Sequence, residues 1–438
     1  MTFLSRRPRL LTAMLAVTVF MVASMGSVRD YTLSDPQLTL LTSQVLWERG
    51  ALDLRAELDR LGPERFAKDT WKYSIRRDGR VFYGYPLGAA IVSLPVVAVA
   101  RTLGRDFSDW ETDRRYQIRL ASLCCALVFL LLADIAWRLT RDAAAPFFAF
   151  AVTLGSSLMS TLASALWSFN FELVFALLAL REAARAEDRT LAFRAVRTGA
   201  FIAAAWVCRP SAILLAAPLG LFALLRGRRT ALALSAGAAS VLLPFLAFCK
   251  GATGFYFASY YAAGQWVRVA NLETWPANLQ AILFSPARGL FLFTPALLLG
   301  VAGPAWPAVR RRPVTLILAT WAALTIGIVA TQRNWWGGWS FGPRLLTETA
   351  APLALLGFMA WTTLAERTQR RLAPVVVLAL AWGIAVHTGQ GLYRHAAYRW
   401  NNNPNIDAAP EFYRHNWRFP QFLATESRNK AKAEAYGR

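Results

Sequence analysis

Trp335-Trp336-Gly337-Gly338-Trp339-Ser340-Phe341-Gly342-Pro343-Arg344 lies between two apolar stretches, 313–331 and 347–365. Each stretch is long enough to cross a bilayer. The loop between them is therefore held at a membrane surface. It contains three tryptophans, three glycines, one proline and one arginine, an unusual make-up for a mere connector. Glycine lets backbone approach a ligand closely. Tryptophan favours the membrane–water interface. Arginine grips phosphate with a planar fork. The combination points to a place where a lipid-linked anion meets protein.

The rest of the chain fits a polytopic membrane protein. Of 438 residues, 56% are hydrophobic and only 17% charged. Soluble domains carry about 25% charged residues. The mean hydropathy is +0.34. Arg6, Arg7 and Arg9 precede an apolar run over 10–28 without a small-x-small cleavage site, which predicts an uncleaved first span with a cytoplasmic start. The net charge of +22 does not call for nucleic acid, because the arginines cluster in short loops as the positive-inside rule predicts. Cys124, Cys125, Cys208 and Cys249 lie in or beside apolar segments, lack metal spacing and read as packing residues.

Apolar stretches recur near 85–104, 116–137, 143–160, 164–180, 196–208, 211–225, 231–248, 285–303, 313–331, 347–365 and 372–389. With the first, they predict an all-α transmembrane bundle of about 11–12 segments. Arginine-rich loops at 181–197, 226–229, 308–312 and 367–371 are placed in the cytoplasm. The opposite side then receives 29–84, 160–166, the Arg209-Pro210 corner, 249–284, 332–346 and the tail. This parity implies one crossing too many between 85 and 142, so a re-entrant or interfacial piece is expected there, with 85–104 its first candidate. The division expected is a membrane domain over 1–390 and a short extracytoplasmic tail over 391–438.

Within the large first loop, Ser34-Asp35-Pro36 and the run through Glu48 predict a capped, surface-lying helix that stops at Gly50. Asp78-Gly79 predicts a hairpin turn between Tyr73-Ser74-Ile75 and Val81-Phe82-Tyr83. The tail holds Tyr393, Tyr398, Trp400, Tyr413, Trp417 and Phe419, too aromatic for a disordered segment. Its last dozen residues, with Lys430 and Lys432, are expected to fray.

The polar residues of the outer side form the candidate site. A first-loop carboxylate could take a proton from an acceptor hydroxyl. Arginines could neutralise a departing phosphate. Arg288, in Ser285-Pro286-Ala287-Arg288-Gly289, and Arg344 are the first choices, each near a glycine, with Arg209 third. Tyr85, Trp167, Asn170, Glu172, Trp336, Trp339 and His395 are expected to line the substrate path. Glu172 lies inside an apolar run, where a carboxylate is either functional or paired with an arginine. Arg209 could equally be a turn residue that snorkels to headgroups. No required cofactor is indicated; a divalent metal held by carboxylates is left open. Phosphate-loop, GxSxG and HExxH motifs are absent, which excludes nucleotide-driven transport by this chain.

Several pieces in order resemble the GT-C superfamily of membrane glycosyltransferases. They are Thr42-Ser43-Gln44-Val45-Leu46 through Glu48-Arg49-Gly50 with Leu52-Asp53-Leu54, Gly79 through Tyr83, Tyr85-Pro86-Leu87-Gly88, and Phe284 through Phe291. The tryptophan loop, Asn403-Pro404-Asn405-Ile406-Asp407, Trp417 and Pro420-Gln421-Phe422 complete the set. The likeness spans nearly the whole chain and is greatest to bacterial GT-C-like polytopic proteins of the protein O-mannosyltransferase and lipid A aminoarabinose transferase kind. It implies a multi-pass inner-membrane enzyme that moves a sugar, with inversion, from a polyprenyl phosphate to an extracytoplasmic glycan, lipid or protein. It also implies a catalytic aspartate early in the first loop: Asp35 matches best and Asp30 second. Two features depart from the pattern. Asp35 is followed by Pro36 where many members have a second acid, and the larger members' soluble C-terminal domain is missing. The rival readings are a lipid-linked glycan flippase, an O-antigen-type ligase or polymerase and a non-catalytic scaffold. A flippase predicts an inverted hydropathy repeat, which the chain lacks.

Overall fold

An apolar segment in lipid must satisfy its own backbone, and the α-helix does so within one segment. The computed structural model of the chain describes residues 7–27, 35–65, 74–184, 191–258 and 271–436, and each apolar stretch named above contains helix among them. Among the described residues, five helices are long and apolar enough to cross a membrane: Trp110–Thr140, Arg228–Thr253, Pro313–Ala330, Arg344–Thr363 and Glu366–Leu392. Shorter apolar helices accompany them, among them Gly88–Thr102. Its 15 residues rise about 22 Å, less than the ~30 Å hydrocarbon core. The 285–303 stretch is broken into Leu290–Phe293, Pro295–Leu297 and Leu298–Ala302, with Pro295 at the first position of its turn.

The chain divides into two compact units, neither contiguous in sequence. One comprises 1–28, 125–164 and 269–438. Its central helix, Thr347–Thr363, is buried on all sides from Thr347 to Ala360 and packs on Leu298–Ala302 and Pro313–Ala330. The Glu366–Ile384 helix ends in a π-helical stretch, Ala385–Leu392. That widened turn places buried His387 between Ser160 Oγ, 2.8 Å from Nδ1, and Thr294 Oγ1, 2.8 Å from Nε2. Both ring nitrogens are thereby used by hydroxyls. The tail does not stand apart. Ala397, Trp400, Ile406, Tyr413 and Ala424 share one apolar cluster with Ala287, Phe293, Phe341 and Val386. The expectation of a frayed end is corrected: Glu426–Tyr436 is a helix, and Lys432 on it is buried. Its ammonium stands 4.7 Å from the ring centres of Trp400 and Tyr413. Its ammonium donates to the carbonyls of Trp400 and Asn402 and to Tyr413 Oη.

The second unit comprises 29–124 and 165–268. Its Thr39–Arg49 helix stops at Gly50, which has φ +62°, as expected. The helix is not a one-sided surface helix: Thr39 through Val45 are all buried, and the N-cap position falls on Leu38. Leu41 and Val45 pack with Leu54, Val81, Phe82, Leu87 and Phe245. The hairpin forms where Asp78-Gly79 predicts it, pairing Ser74 with Tyr83 and Arg77 with Arg80. Asp53 Oδ1 accepts from Arg55 N and Val81 N, so one carboxylate caps the Arg55–Arg65 helix and ties it to the hairpin. The Ser168–Ala184, Leu191–Cys208 and Arg228–Thr253 helices pack side by side.

Candidate functional site

The tryptophan loop is shaped from inside. Gly337 and Gly338 both have φ +70° and Gly342 +60°, left-handed backbone that any other side chain would strain. Arg288 fills the space beneath them and is 2% exposed. Its Nε donates to Trp336 O at 2.7 Å. Nη1 donates to Ala287 O at 3.0 Å and Gln421 Oε1 at 2.7 Å. Nη2 donates to Gly338 O at 3.1 Å and Asn401 Oδ1 at 2.8 Å. A guanidinium has five N–H donors, and each is used by a protein oxygen. Gln421 adds bonds to Gly342 N, Ser340 O and Ala397 O, and Asn401 one to Ser340 O. Arg288, expected to hold phosphate, is in this structure the keystone joining the loop to the tail.

The other loop residues fall at its rim. Trp336 and Trp339 are half-buried. Their indole nitrogens donate to Asp407 Oδ1 at 2.7 Å and Asn405 Oδ1 at 3.1 Å. Arg344 opens a 3-10 turn leading into the central helix, half-buried and close enough for Arg288 to feel its charge. Trp335 is buried, with the Arg414 guanidinium 5.3 Å from its ring centre. His395 begins the His395–Arg399 helix and is exposed.

In the second unit, Tyr85-Pro86-Leu87-Gly88 has a steric reason. A Cβ on Gly88 would stand 2.5 Å from Cys208 Cα, Cys208 N and Val207 O. Only glycine lets the Gly88–Thr102 helix meet the end of Leu191–Cys208. The next residue, Arg209, donates from Nη1 to Ser168 Oγ at 2.9 Å, with its guanidinium 3.6 Å from the Phe169 ring centre. Trp167, Asn170 and Glu172 belong to the same helix start and are buried. Tyr85 lies elsewhere, lining an aromatic hollow with Tyr83, Phe245, Cys249 and Phe257.

Asp35 begins the Asp35–Leu38 turn; its side chain, and Asp30 altogether, lie outside the described residues. Next to Asp35, the carbonyl of Pro36 accepts a bond from Gln117 Nε2 at 3.0 Å, and the same nitrogen lies 3.1 Å from Asp113 Oδ2. Asp113 is 1% exposed. Neither residue was picked out from the sequence. The available signal was an acid and an amide four apart at the start of the long Trp110–Thr140 helix, where both fall on one face. Among the described residues, no group of three or more histidine, cysteine, aspartate or glutamate side chains is placed to share a metal ion.

No protein family and no curated protein matches the sequence. Solved structures do. The chain superposes on ArnT from Cupriavidus metallidurans bound to undecaprenyl phosphate with a TM-score of 0.56 and 16% identity, over 98% of this chain and 76% of that one. For ArnT in the apo state the values are 0.54 and 15%, with the same coverage. The chain thus has the fold of these ArnT structures. At such identity the likeness establishes the fold and leaves the chemistry to the residues described above. Among the described residues the regular structure is helical apart from the first-loop hairpin, in keeping with the expected all-α class.

Proposed function

We propose that the chain is an integral-membrane glycosyltransferase that moves a sugar from a polyprenyl-phosphate donor to an acceptor at the membrane surface. The observation that carries the reading is the likeness, over 98% of the chain, to ArnT bound to undecaprenyl phosphate. The tryptophan loop supports it by holding aromatic rings at the end of two apolar helices.

Asp35 accepts the proton of the acceptor hydroxyl. The oxygen attacks the anomeric carbon of the donor, a new glycosidic C–O bond forms, and the C–O bond to phosphate breaks. The phosphate leaves with the electron pair, and arginine neutralises its charge. Arg344 is first in this role and Arg209 second. Arg288 has its five donors occupied, so its part is to shape the loop. Gln117, bonded to the carbonyl beside Asp35, positions the base. Trp336 and Trp339 line the sugar path, and Glu172 with Asn170 supports the Ser168–Arg209 corner.

The test is mass spectrometry of envelope glycans from a deletion strain, its parent, and strains complemented with wild type or Asp35→Asn. The expected result is a glycan lost on deletion, restored by wild type and not by Asp35→Asn. A profile unchanged on deletion across growth conditions would overturn the transferase reading in favour of a scaffold or flippase.

A further inference from the structure

Trp336 and Trp339 do not stand like membrane anchors. An interfacial tryptophan turns its N–H toward headgroups and water. Here both indole edges are tied to side chains of the 400–407 turn, Trp336 to Asp407 and Trp339 to Asn405. Asn405 Oδ1 also accepts from Asp407 N at 2.9 Å, which locks the two polar residues to each other. Ring planes held at one edge cannot turn freely, yet both tryptophans remain half-exposed and Asn405 and Asp407 are exposed. Tyr398 stands edge-on to Trp339, its ring centre 6.3 Å away. Beneath the platform, Arg288 fixes the carbonyls of Trp336 and Gly338.

We propose that Trp336, Trp339, Asn405 and Asp407 form a saccharide-binding platform that takes the glycan acceptor. A pyranose has an apolar C–H face and an equatorial rim of hydroxyls. An aromatic face packs against the first. A carboxylate and an amide, whose planar groups accept and donate in pairs, bond the second. Both occur together here. Asp407 Oδ2 and Asn405 Nδ2 have no hydrogen-bond partner among the described residues. Rings already locked by edge bonds lose little freedom on binding, so stacking is not offset by ordering.

The other ligands of an aromatic surface fit less well. An anionic headgroup would meet the Asp407 carboxylate. A cationic amine would meet the fields of buried Arg288 and neighbouring Arg344. A neutral sugar meets neither objection. The assignment of this sugar as the acceptor rests on the transferase reading, whereas its binding requires no donor.

The experiment titrates the full chain in nanodiscs with chitotetraose, maltotetraose and mannotetraose, following tryptophan fluorescence and saturation-transfer NMR, with undecaprenyl phosphate binding followed by native mass spectrometry. The expected result is saturable binding of at least one tetrasaccharide, with affinity falling about tenfold or more in Asp407→Ala and Asn405→Ala. Both positions are exposed, so the fold survives. Asp407→Asn, which keeps an acceptor for Trp336, should bind more tightly than Asp407→Ala. If no tetrasaccharide binds at millimolar concentration while undecaprenyl phosphate does, the platform is overturned and the transferase reading stands. Binding of full strength in both alanine variants also overturns it. Saccharide binding without lipid binding would remove the transferase reading and leave the platform.

Discussion

The guanidinium of Arg288 donates to Asn401 Oδ1 at 2.8 Å, across 113 residues of chain. That bond, with the one to Gly338 O on the same nitrogen, makes the tryptophan loop and the tail parts of one object. Lysine cannot replace it, since an ammonium has three donors from a single point where the site needs five in a plane. Arg288→Lys should therefore lose about 3 kcal/mol or more and lower the melting temperature in nanodiscs. Arg344→Lys should leave the melting temperature within a few degrees while weakening the proposed polyprenyl-phosphate binding about tenfold. A reversed ranking in thermal unfolding would exchange the roles assigned to the two arginines.

Gly88 gives a second contrast. Alanine there places a methyl 2.5 Å from Cys208 backbone, which can yield only by moving a helix. Overpacking of this kind costs about 1–3 kcal/mol. Gly220, inside the Ile213–Leu225 helix, has nothing within 4 Å of the same added atom. Gly220→Ala should be neutral or stabilise by up to about 1 kcal/mol. Paired melting curves check both, and equal effects would refute the close-approach explanation of the Tyr-Pro-x-Gly entry.

Gln117 bears on the proposed base, Asp35, without being able to act as one. Replacing it with leucine frees the Pro36 carbonyl, and with it the start of the Asp35–Leu38 turn. Displacement of a catalytic group by about 1 Å can cost ~100-fold in rate. Gln117→Leu should lower kcat by about that factor with little change in donor KM, and Gln117→Glu should recover only part, since an ionised glutamate cannot donate to the Pro36 carbonyl. A purely structural glutamine would instead lower the melting temperature and leave kcat per folded molecule intact.

Lys432 makes the tail responsive to pH. Burial draws its ammonium down from 10.5 to about 7. The unfolded tail thus holds this proton more tightly than the docked one. Between about 7 and 10.5 the undocked state carries more protons, so docking gains stability as pH rises through that window. Below about 7 both states are protonated and the dependence flattens. Hydrogen exchange corrected for intrinsic rates should show protection over Glu426–Tyr436 increasing from pH 7 to 9 in wild type. Lys432→Met should abolish that slope. Protection without pH dependence in wild type would contradict the assignment.

What the sequence made legible follows from range. Asp78-Gly79 and Gly50 announce their turns locally, because a positive φ or a tight hairpin needs those residues wherever they stand. Apolar runs announce helices for the same reason. The break within 285–303 was also written locally, in Gly289, Pro295 and Gly303-Pro304, although hydropathy alone smooths over it. Arg288 was noticed, but its partners come from positions 336, 338, 401 and 421, and no window of sequence contains them. A buried arginine surrounded by carbonyls and an exposed one awaiting phosphate share the same local signature. Lys432 depends on distant residues in the same way: charge and position predict fraying, while its burial arises from Trp400 and Tyr413. The two units, each assembled from separated stretches, could not be drawn from boundaries along the chain.

The long reach of Arg288 also sets an order of assembly. A ribosome makes Arg288 well before its distant partners, and Gln421 follows it by 133 residues. The membrane helices on either side of the tryptophan loop are complete while the guanidinium still lacks two of its five acceptors, Asn401 and Gln421. Until the tail arrives, water must serve those donors, and the loop has no fixed floor. Synthesis therefore yields a helical scaffold first and a shaped loop last, so a nascent chain halted before residue 421 would be inserted in the bilayer without the surface on which it is to work.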